Sequence, residues 1–596
     1  MQLRLSRIST YALAGLLAAT PLAQGADMSK TLRVALPVAE TGFDPQVTSD
    51  IYSSAIISAI VDPLYVYDYF ARPVRMVPNT AAALPEVTDE GRTYTIKIKP
   101  GIYFASDPAF KGKQRELTAE DYVYSIKRIF DPKVRSYWVY VFEGNLVGLD
   151  DVLPAARKSG ALDYDTKIEG LQALDRYTLR IRFKRPNYGF EWWLTTVYFA
   201  AVSREVVDAY KDSSNRVMEN PVGTGAYRLK SWTRGQHIVL EANPDYRDVA
   251  FPAPGAGSTP ADVAIAKGLV GRKLPLVGTV DVSIIEEAQP RLLSFDSGNL
   301  DYLEVPQTLN SKVLDGAALR PEFAKRGMSL QRELTPSISM FYFNLEHPLV
   351  GGYTPEKLAL RRAISMGFDR QTAIAQLQDG QAIVANQPVP PPLYGHDPKY
   401  VAPYGYDPRA ARALLDRFGY KDRDGDGLRE LPDGKPLTLV LASTTDNAAR
   451  ARDELWKRNM DALGIRITFL KNKWPELNRM SEAGQLMMWG FGWTSNVPEG
   501  IDFYSYFYSR NIGTSNDARM RLPAFDALYE KSRTVPHSPA RTAIFNEMND
   551  LIFNYAPWIM SNYPYESVLA QPWLKGYKLN TFVQQQWRYL DVGPRP

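Results

Sequence analysis

Not one of the 596 residues is a cysteine. The chain must therefore hold together by burial and hydrogen bonding alone, with no disulfide framework, no thiolate metal site and no cysteine near its start to carry a lipid. Single cores stop growing at roughly 300 residues, so two or three domains are expected. The 45% hydrophobic and 23% charged fractions are those of an ordinary globular chain and argue against both disorder and a membrane bundle. Residues 1–25 read as an export signal: Arg4 and Arg7, an apolar run from Tyr11 to Ala19, Pro21, and small residues at Ala23-Gln24-Gly25 or Ala26 for cleavage. That run is shorter than the roughly 20 residues of a spanning helix, and no later segment reaches that length without charges. A soluble, exported, non-lipidated protein is expected. Its formal charge of +4 includes Arg4 and Arg7, and what remains is too small to attract nucleic acid.

Strand and helix patterns alternate along the whole chain. Thr31–Leu36 and Arg92–Lys99 alternate apolar with polar residues, the second ending at Pro100-Gly101, and both predict half-buried strands. Arg176–Lys184 is another, and Ala226–Glu241 predicts a hairpin turning at Thr233–Gln236. Ala55–Leu64 predicts a helix. Leu117–Phe130 predicts one with Thr118 as cap, Asp121 three residues on, and Val123, Ile126 and Phe130 on one face. Further helices are expected at Glu356–Ile374, Pro408–Phe418, Ala449–Leu463 and Ala540–Asn554, and an exposed loop at Phe251–Pro260. No repeat of 20–50 residues points to a solenoid or propeller. The pattern is that of an α/β protein with more than one lobe.

Several segments, in order, resemble the extracellular solute-binding proteins of family 5, which include the oligopeptide- and dipeptide-binding components of ATP-binding cassette importers. They are Leu117-Thr-Ala-Glu-Asp121 with Tyr124-Ser-Ile-Lys-Arg128, Pro221-Val-Gly-Thr-Gly-Ala-Tyr227 with Trp232 and Asn243-Pro-Asp-Tyr246, then Phe343-Asn-Leu, Arg361-Arg-Ala-Ile364, Phe368-Asp-Arg370 and Ala556-Pro557. By itself Gly223-Thr-Gly225 is only a tight turn, lacking the Lys of a P-loop and the third Gly of a dinucleotide fingerprint. The resemblance implies a two-lobed periplasmic binding protein fold, type II-like and of cluster C, with an extra subdomain on the first lobe. It divides the chain into a first lobe built from 26–68, 201–338 and a returning tail 563–596, a subdomain at 69–200, and a second lobe at 339–562. The crossings, near Thr335–Phe343 and Ile559–Pro564, would form a hinge. It also implies a monomer that delivers its ligand to an inner-membrane permease, without catalysis and with no cofactor required.

By the same resemblance, Trp474-Pro-Glu-Leu and Gly490-Phe-Gly-Trp493-Thr494-Ser-Asn496 are the ligand-contacting part of the second lobe. Trp493 and Trp474 are candidate apolar walls, and the main chain near Gly492 a candidate strand edge for a peptide. Peptide binders of the family carry an aspartate at the position of Asn496 to pair with the free α-amine. Here that carboxylate is absent, and Glu499 or Asp502 is the candidate to replace it. Tyr563 and Tyr565, beside the second crossing, are candidates for closing over the cleft or packing the hinge, and Trp138 and Tyr140 for lining it from the subdomain. Family clefts are adapted to peptides, nickel, haem, opines and sugars. The aromatic content, 12% with 35 Tyr and 11 Trp, suits a peptide, haem or an oligosaccharide, and Asn496 favours a blocked or modified peptide.

The residues themselves bear on two other chemistries. Asp422-Arg-Asp424-Gly-Asp426-Gly-Leu-Arg-Glu430-Leu-Pro-Asp433 has the oxygen spacing of a calcium loop, although Pro432 and a following strand replace the usual helical frame. Ca2+ is thus a candidate structural ion, with a polar turn as the alternative. A secreted hydrolase needs an activated nucleophile or a metal-bound water, yet there is no Gly-x-Ser-x-Gly, Ser-x-x-Lys or His-Glu-x-x-His. His237, His347, His396 and His537 are scattered, and each reads as a surface or turn residue.

Overall fold

The computed structural model describes residues 25–595, so the export signal lies outside the described residues apart from Gly25. A four-stranded sheet organises the first lobe, in the order Asp27–Leu36, Val277–Ile284, His237–Ala242, Tyr227–Thr233. The first two strands run parallel, Leu32 opposite Val280. The last two form the expected hairpin. The helix is Ile51–Ile60, capped by Asp50, whose carboxylate accepts the Ser53 N–H at 2.7 Å. The tight turn before Tyr227 explains its glycines. Gly225 N–H donates to the Ile60 carbonyl at 2.8 Å, and a Cβ on Gly223 would sit 2.2 Å from that oxygen. Only glycine lets the turn press against the helix end.

The subdomain is an antiparallel sheet ordered Glu86–Thr88, Thr93–Lys97, Thr178–Arg182, Leu171–Asp175, with the helix Ala119–Phe130 against it. The helix starts as its sequence dictates, because the Asp121 carboxylate accepts the Thr118 N–H at 2.8 Å. Near the helix end Arg128 is fully buried and pairs with Asp44 at 2.6 Å. Asp44 also accepts the Val217 N–H at 2.8 Å, so one carboxylate gathers the N-terminal segment, the subdomain and the segment that follows it.

The largest sheet has eight strands. Its path is Tyr302–Glu304, Trp558–Ala570, Ser337–Phe343, Met488–Thr494, Thr438–Ser443, Arg466–Lys471, with Ser329–Leu334 and Ala382–Val384 also on the long strand. That strand, Trp558–Ala570, belongs to both lobes. Its second half pairs with Ser329–Leu334 and Tyr302–Glu304, and its first half with Ser337–Phe343. The chain crosses at Thr335-Pro336 on one side and at Tyr563-Pro564 on the other. Beyond the crossings Phe341, Phe343, Leu439 and Trp456 form a core of their own. The single helix expected over Glu356–Ile374 is two, Pro355–Gly367 and Arg370–Leu377. Phe368 leaves helical geometry at ψ 112°, and Asp369 caps the second helix by accepting the Thr372 N–H at 3.0 Å. This break aims Arg370 at the Met560 carbonyl, 2.7 Å away, while Arg361 reaches the Tyr555 carbonyl at 2.7 Å. Both arginines fasten the segment that leads into the shared strand.

Removing one member of a fully buried ion pair leaves the other charge uncompensated, at a cost of about 3–5 kcal/mol. Asp44→Ala is expected to lower unfolding free energy in urea by that amount, and the double variant Asp44→Leu/Arg128→Met by less.

Candidate functional site

The strand Met488–Thr494 lies at the mouth of the space between the lobes and has one edge free. It pairs with Ser337–Phe343 along its length, but with Thr438–Ser443 only at Met488. Ser495 N–H donates to the Pro336 carbonyl, and Asn344 N–H to the Met487 carbonyl. Both bonds fix the antiparallel alternation, so odd-numbered residues bond to Ser337–Phe343 while Gly490, Gly492 and Thr494 direct their N–H and C=O away from it. Among the described residues nothing pairs with the Gly492 or Thr494 main chain. Gly492 is exposed and Thr494 holds Ser337 through a 2.8 Å hydroxyl contact. An extended ligand backbone could complete this edge.

Along one face of the strand stand Trp489, Phe491 and Trp493, as the two-residue period requires. Trp493 is 36% exposed and meets Tyr506 edge-on at 5.4 Å between ring centroids. Trp474, at the start of the helix Trp474–Glu482, is 55% exposed and sits 5.9 Å from Trp489. The structure thus places Trp493 and Trp474 at opposite ends of one aromatic row, not side by side. Tyr140, 54% exposed, faces the second lobe with Tyr137 and Trp193, at 5.6 and 6.1 Å. Surrounding protein and then the Asp502 carboxylate opposite raise its hydroxyl above the usual phenol range.

Trp138 is a correction. Only 1% exposed, it stacks on Tyr198 at 3.8 Å and donates its indole N–H to the Thr48 carbonyl at 2.9 Å, so it is core and cannot line a cleft. Tyr563 is buried too, its hydroxyl bonded to the Gln387 carbonyl, and the Arg332 guanidinium covers the Tyr565 ring at 3.5 Å. Both pack the hinge, where one face of the shared strand and its neighbours carries Glu304, Glu566 and Glu333. Crowding by protein, then by Glu304 and Glu333, pushes Glu566 up to about 8.

Asn496 is half-buried in the turn after the strand and makes no side-chain hydrogen bond among the described residues. Of its two candidate replacements, Glu499 is already committed. Its Oε2 meets Arg541 Nη1 at 3.1 Å and His537 Nε2 at 3.0 Å, and its Oε1 accepts the Ile501 N–H at 3.0 Å. Burial alone would raise this carboxyl, but Arg541 and His537 outweigh it and the net shift is downward. Asp502 has no ion pair or side-chain hydrogen bond among the described residues. Burial first, then Glu499, push it up to about 7, against the pull of Arg533 and Arg541. It is the one uncommitted carboxylate of the two.

Of the five residues read as a calcium loop, Asp422, Asp424 and Asp426 bring one oxygen each within 4.8 Å of one another. The loop spends them on itself. Asp422 accepts the Gly425 and Gly427 N–H groups, and Asp426 pairs with Arg466 at 3.0 Å. Glu430 turns to the Arg423 N–H and Asp433 to Lys435, outside the cluster.

Tyr137, Trp193 and Tyr506 carry no sequence signal, since they sit in short helical turns without periodicity. His537, which reads as a surface or turn residue, is half-buried, with Arg541 one helical turn on and Glu499 brought to it by the fold. No described helix is long and apolar enough to cross a membrane.

Two lobes around an aromatic cleft, joined by a pair of crossings and offering a free strand edge, define a hinged solute receptor. The description "Bacterial extracellular solute-binding proteins, family 5 Middle" matches residues 75–515, more than half of the chain, and the protein belongs to that family. Its relatives differ in what their names say they bind. The Di/tripeptide-binding protein 2 of Pseudomonas aeruginosa is 24% identical, over 92% of this chain and 93% of its own. The Heme-binding protein A of Haemophilus influenzae is 23% identical, over 83% and 81%. The periplasmic binding protein DppA of Helicobacter pylori, solved with the peptide STSA, shares the fold at a TM-score of 0.68 with 20% identity, covering 95% of this chain and 98% of its own.

A carboxyl raised in the folded state is protonated there while its unfolded counterpart is ionised, so stability declines as pH climbs from about 4 to about 7. Asp502→Asn removes this penalty. Thermal unfolding followed from pH 4 to 8 is expected to show the variant gaining on the parent as pH rises, with no gain at pH 4.

Proposed function

We propose that this protein is exported to the periplasm, captures a peptide or peptide-like solute between its lobes as a monomer, and delivers it to the permease of an ATP-binding cassette importer. The observation that carries the reading is the free edge at Gly492 and Thr494 with the uncommitted Asp502 carboxylate a short way along the chain. Edge and carboxylate match the two constant features of a peptide, its main chain and its amino terminus. Trp493, backed by the buried Tyr506, on one wall and Tyr140 on the other offer apolar faces that accept varied side chains. Asp502 takes over the pairing that Asn496 cannot make, since an ionised partner contributes about 1.5–3 kcal/mol and a neutral amide about 1. A ligand that bridges both lobes favours the closed arrangement by its extra contacts there.

Mass spectrometry of ligand released from natively purified protein tests the class, and haem or a metal complex in place of peptide overturns it. Calorimetry then tests the anchor. Asp502→Asn is expected to weaken a free-amino tripeptide by about 2- to 30-fold and to leave its N-acetylated form unchanged. For the parent protein, affinity for the free-amino peptide rises as pH passes 7 and Asp502 ionises.

A further inference from the structure

A second carboxylate lies beside the aromatic row. Tyr342 stands opposite Trp489 on one neighbouring strand and opposite Trp558 on the other, so the three rings share the face that carries Phe491 and Trp493. Onto this face Tyr506 packs, 5.6 Å from Trp558 between centroids, and Phe491 lies 6.2 Å from Tyr342. The helix Trp474–Glu482 brings Ser481 within 2.6 Å of the Tyr342 hydroxyl, and the Ser481 O–H donates to Oδ1 of Asp517, in the segment before the helix Pro523–Arg533. An ionised carboxylate only accepts, so Ser481 accepts from Tyr342, and this relay fixes Asp517 in place.

Little else engages the group. Asp517 is half-buried and forms no ion pair among the described residues, since Arg519, two positions on, is taken by Glu346. Surrounding protein pushes it up to about 6, against the pull of the Ser481 bond and with Glu482 adding to the rise, so it is ionised at neutral pH. Tyr506 is only 6% exposed, yet its hydroxyl makes no hydrogen bond among the described residues. Surrounding protein first, then Asp517 and Asp502, and after them Tyr137 and Tyr140 of the first lobe, raise that hydroxyl above the usual phenol range, which puts it in reach of both carboxylates and facing the first lobe. Burying such groups unpaired costs stability, and a donor brought by a ligand removes the cost.

We propose, resting on the peptide reading of the cleft, that Asp517 and the Tyr506 hydroxyl receive a cationic side chain, so that the solute carries lysine or arginine near its amino terminus. Asp502 takes the terminal ammonium, and one ammonium leaves Asp517 unmet. The alkyl stem of a basic side chain suits the Phe491 and Trp493 rings, and its charged head donates to Asp517 in a charge-assisted bond and to the Tyr506 oxygen in a second. A neutral side chain offers Asp517 nothing for its charge.

Calorimetry on the full-length, ligand-stripped protein at about pH 7.5, where Asp517 is ionised, compares Lys-Ala-Ala and Ala-Lys-Ala with the same peptides carrying norleucine, which keeps the stem and lacks the charge. In at least one position lysine is expected to bind about 10- to 150-fold more tightly. Asp517→Asn, which still accepts from Ser481 but offers an amide in place of the ion, is expected to cut that preference by about 2- to 30-fold. Tyr506→Phe, which keeps the ring and loses the hydroxyl, is expected to cut it by about 2- to 10-fold. Lysine and norleucine peptides that bind alike in both positions overturn the pocket and leave the peptide reading standing, whereas no binding of any of the four overturns both. A preference undiminished in either variant overturns the assignment to these residues. Should Asp517→Asn fail to fold, Tyr506→Phe decides.

Discussion

Both lobes are built onto one hydrogen-bonded ladder, that of the strand Trp558–Ala570. Its first half completes the sheet of the second lobe and its second half that of the first. The lobes are therefore joined by paired strands, not by a loose linker. Proline at 564, with no N–H to give, coincides with the change of partners. The arginines that grip the Tyr555 and Met560 carbonyls hold this strand at its entry, so the pivot is supported from the second lobe.

Function then depends on what the lobes bring to the space they enclose. The second lobe contributes a strand edge, a row of aromatic rings and Asp502. The first contributes Tyr137 and Tyr140. Glu499 governs the electrostatics of this region because Arg541 and His537 hold it ionised. Its charge helps to raise Asp502, so a change at Glu499 would disturb Asp502 as well as Arg541 and His537.

Local rules made much of the fold legible in the sequence. The Thr118–Asp121 cap, the hairpin after Tyr227 and the glycines of the turn before it follow from short-range chemistry, and the structure places each where that chemistry requires. The break at Phe368-Asp369 escaped because the apolar period continues through it, and only the cap formed by Asp369 reveals the stop. At the site, the main chain at Gly492 is unpaired among the described residues and Trp493 is 36% exposed. Trp138 went the other way, since an aromatic side chain carries no mark of whether it meets solvent or Tyr198. His537 was unreadable for a different reason. Arg541 lies one helical turn on, but Glu499 and Trp192 are distant, Trp192 by 345 positions, and no spacing rule spans such a gap.

The unpaired edge at Gly490–Thr494 has a cost as well as a use. A free strand edge pairs readily with any other extended chain, including a second copy of the same protein, and proteins usually blunt such edges with charge, proline or a bulge. This one ends in Gly492, Trp493 and Thr494, with Pro498 the next proline, four residues on. An extended ligand chain that completed the edge would also cover it against a second copy.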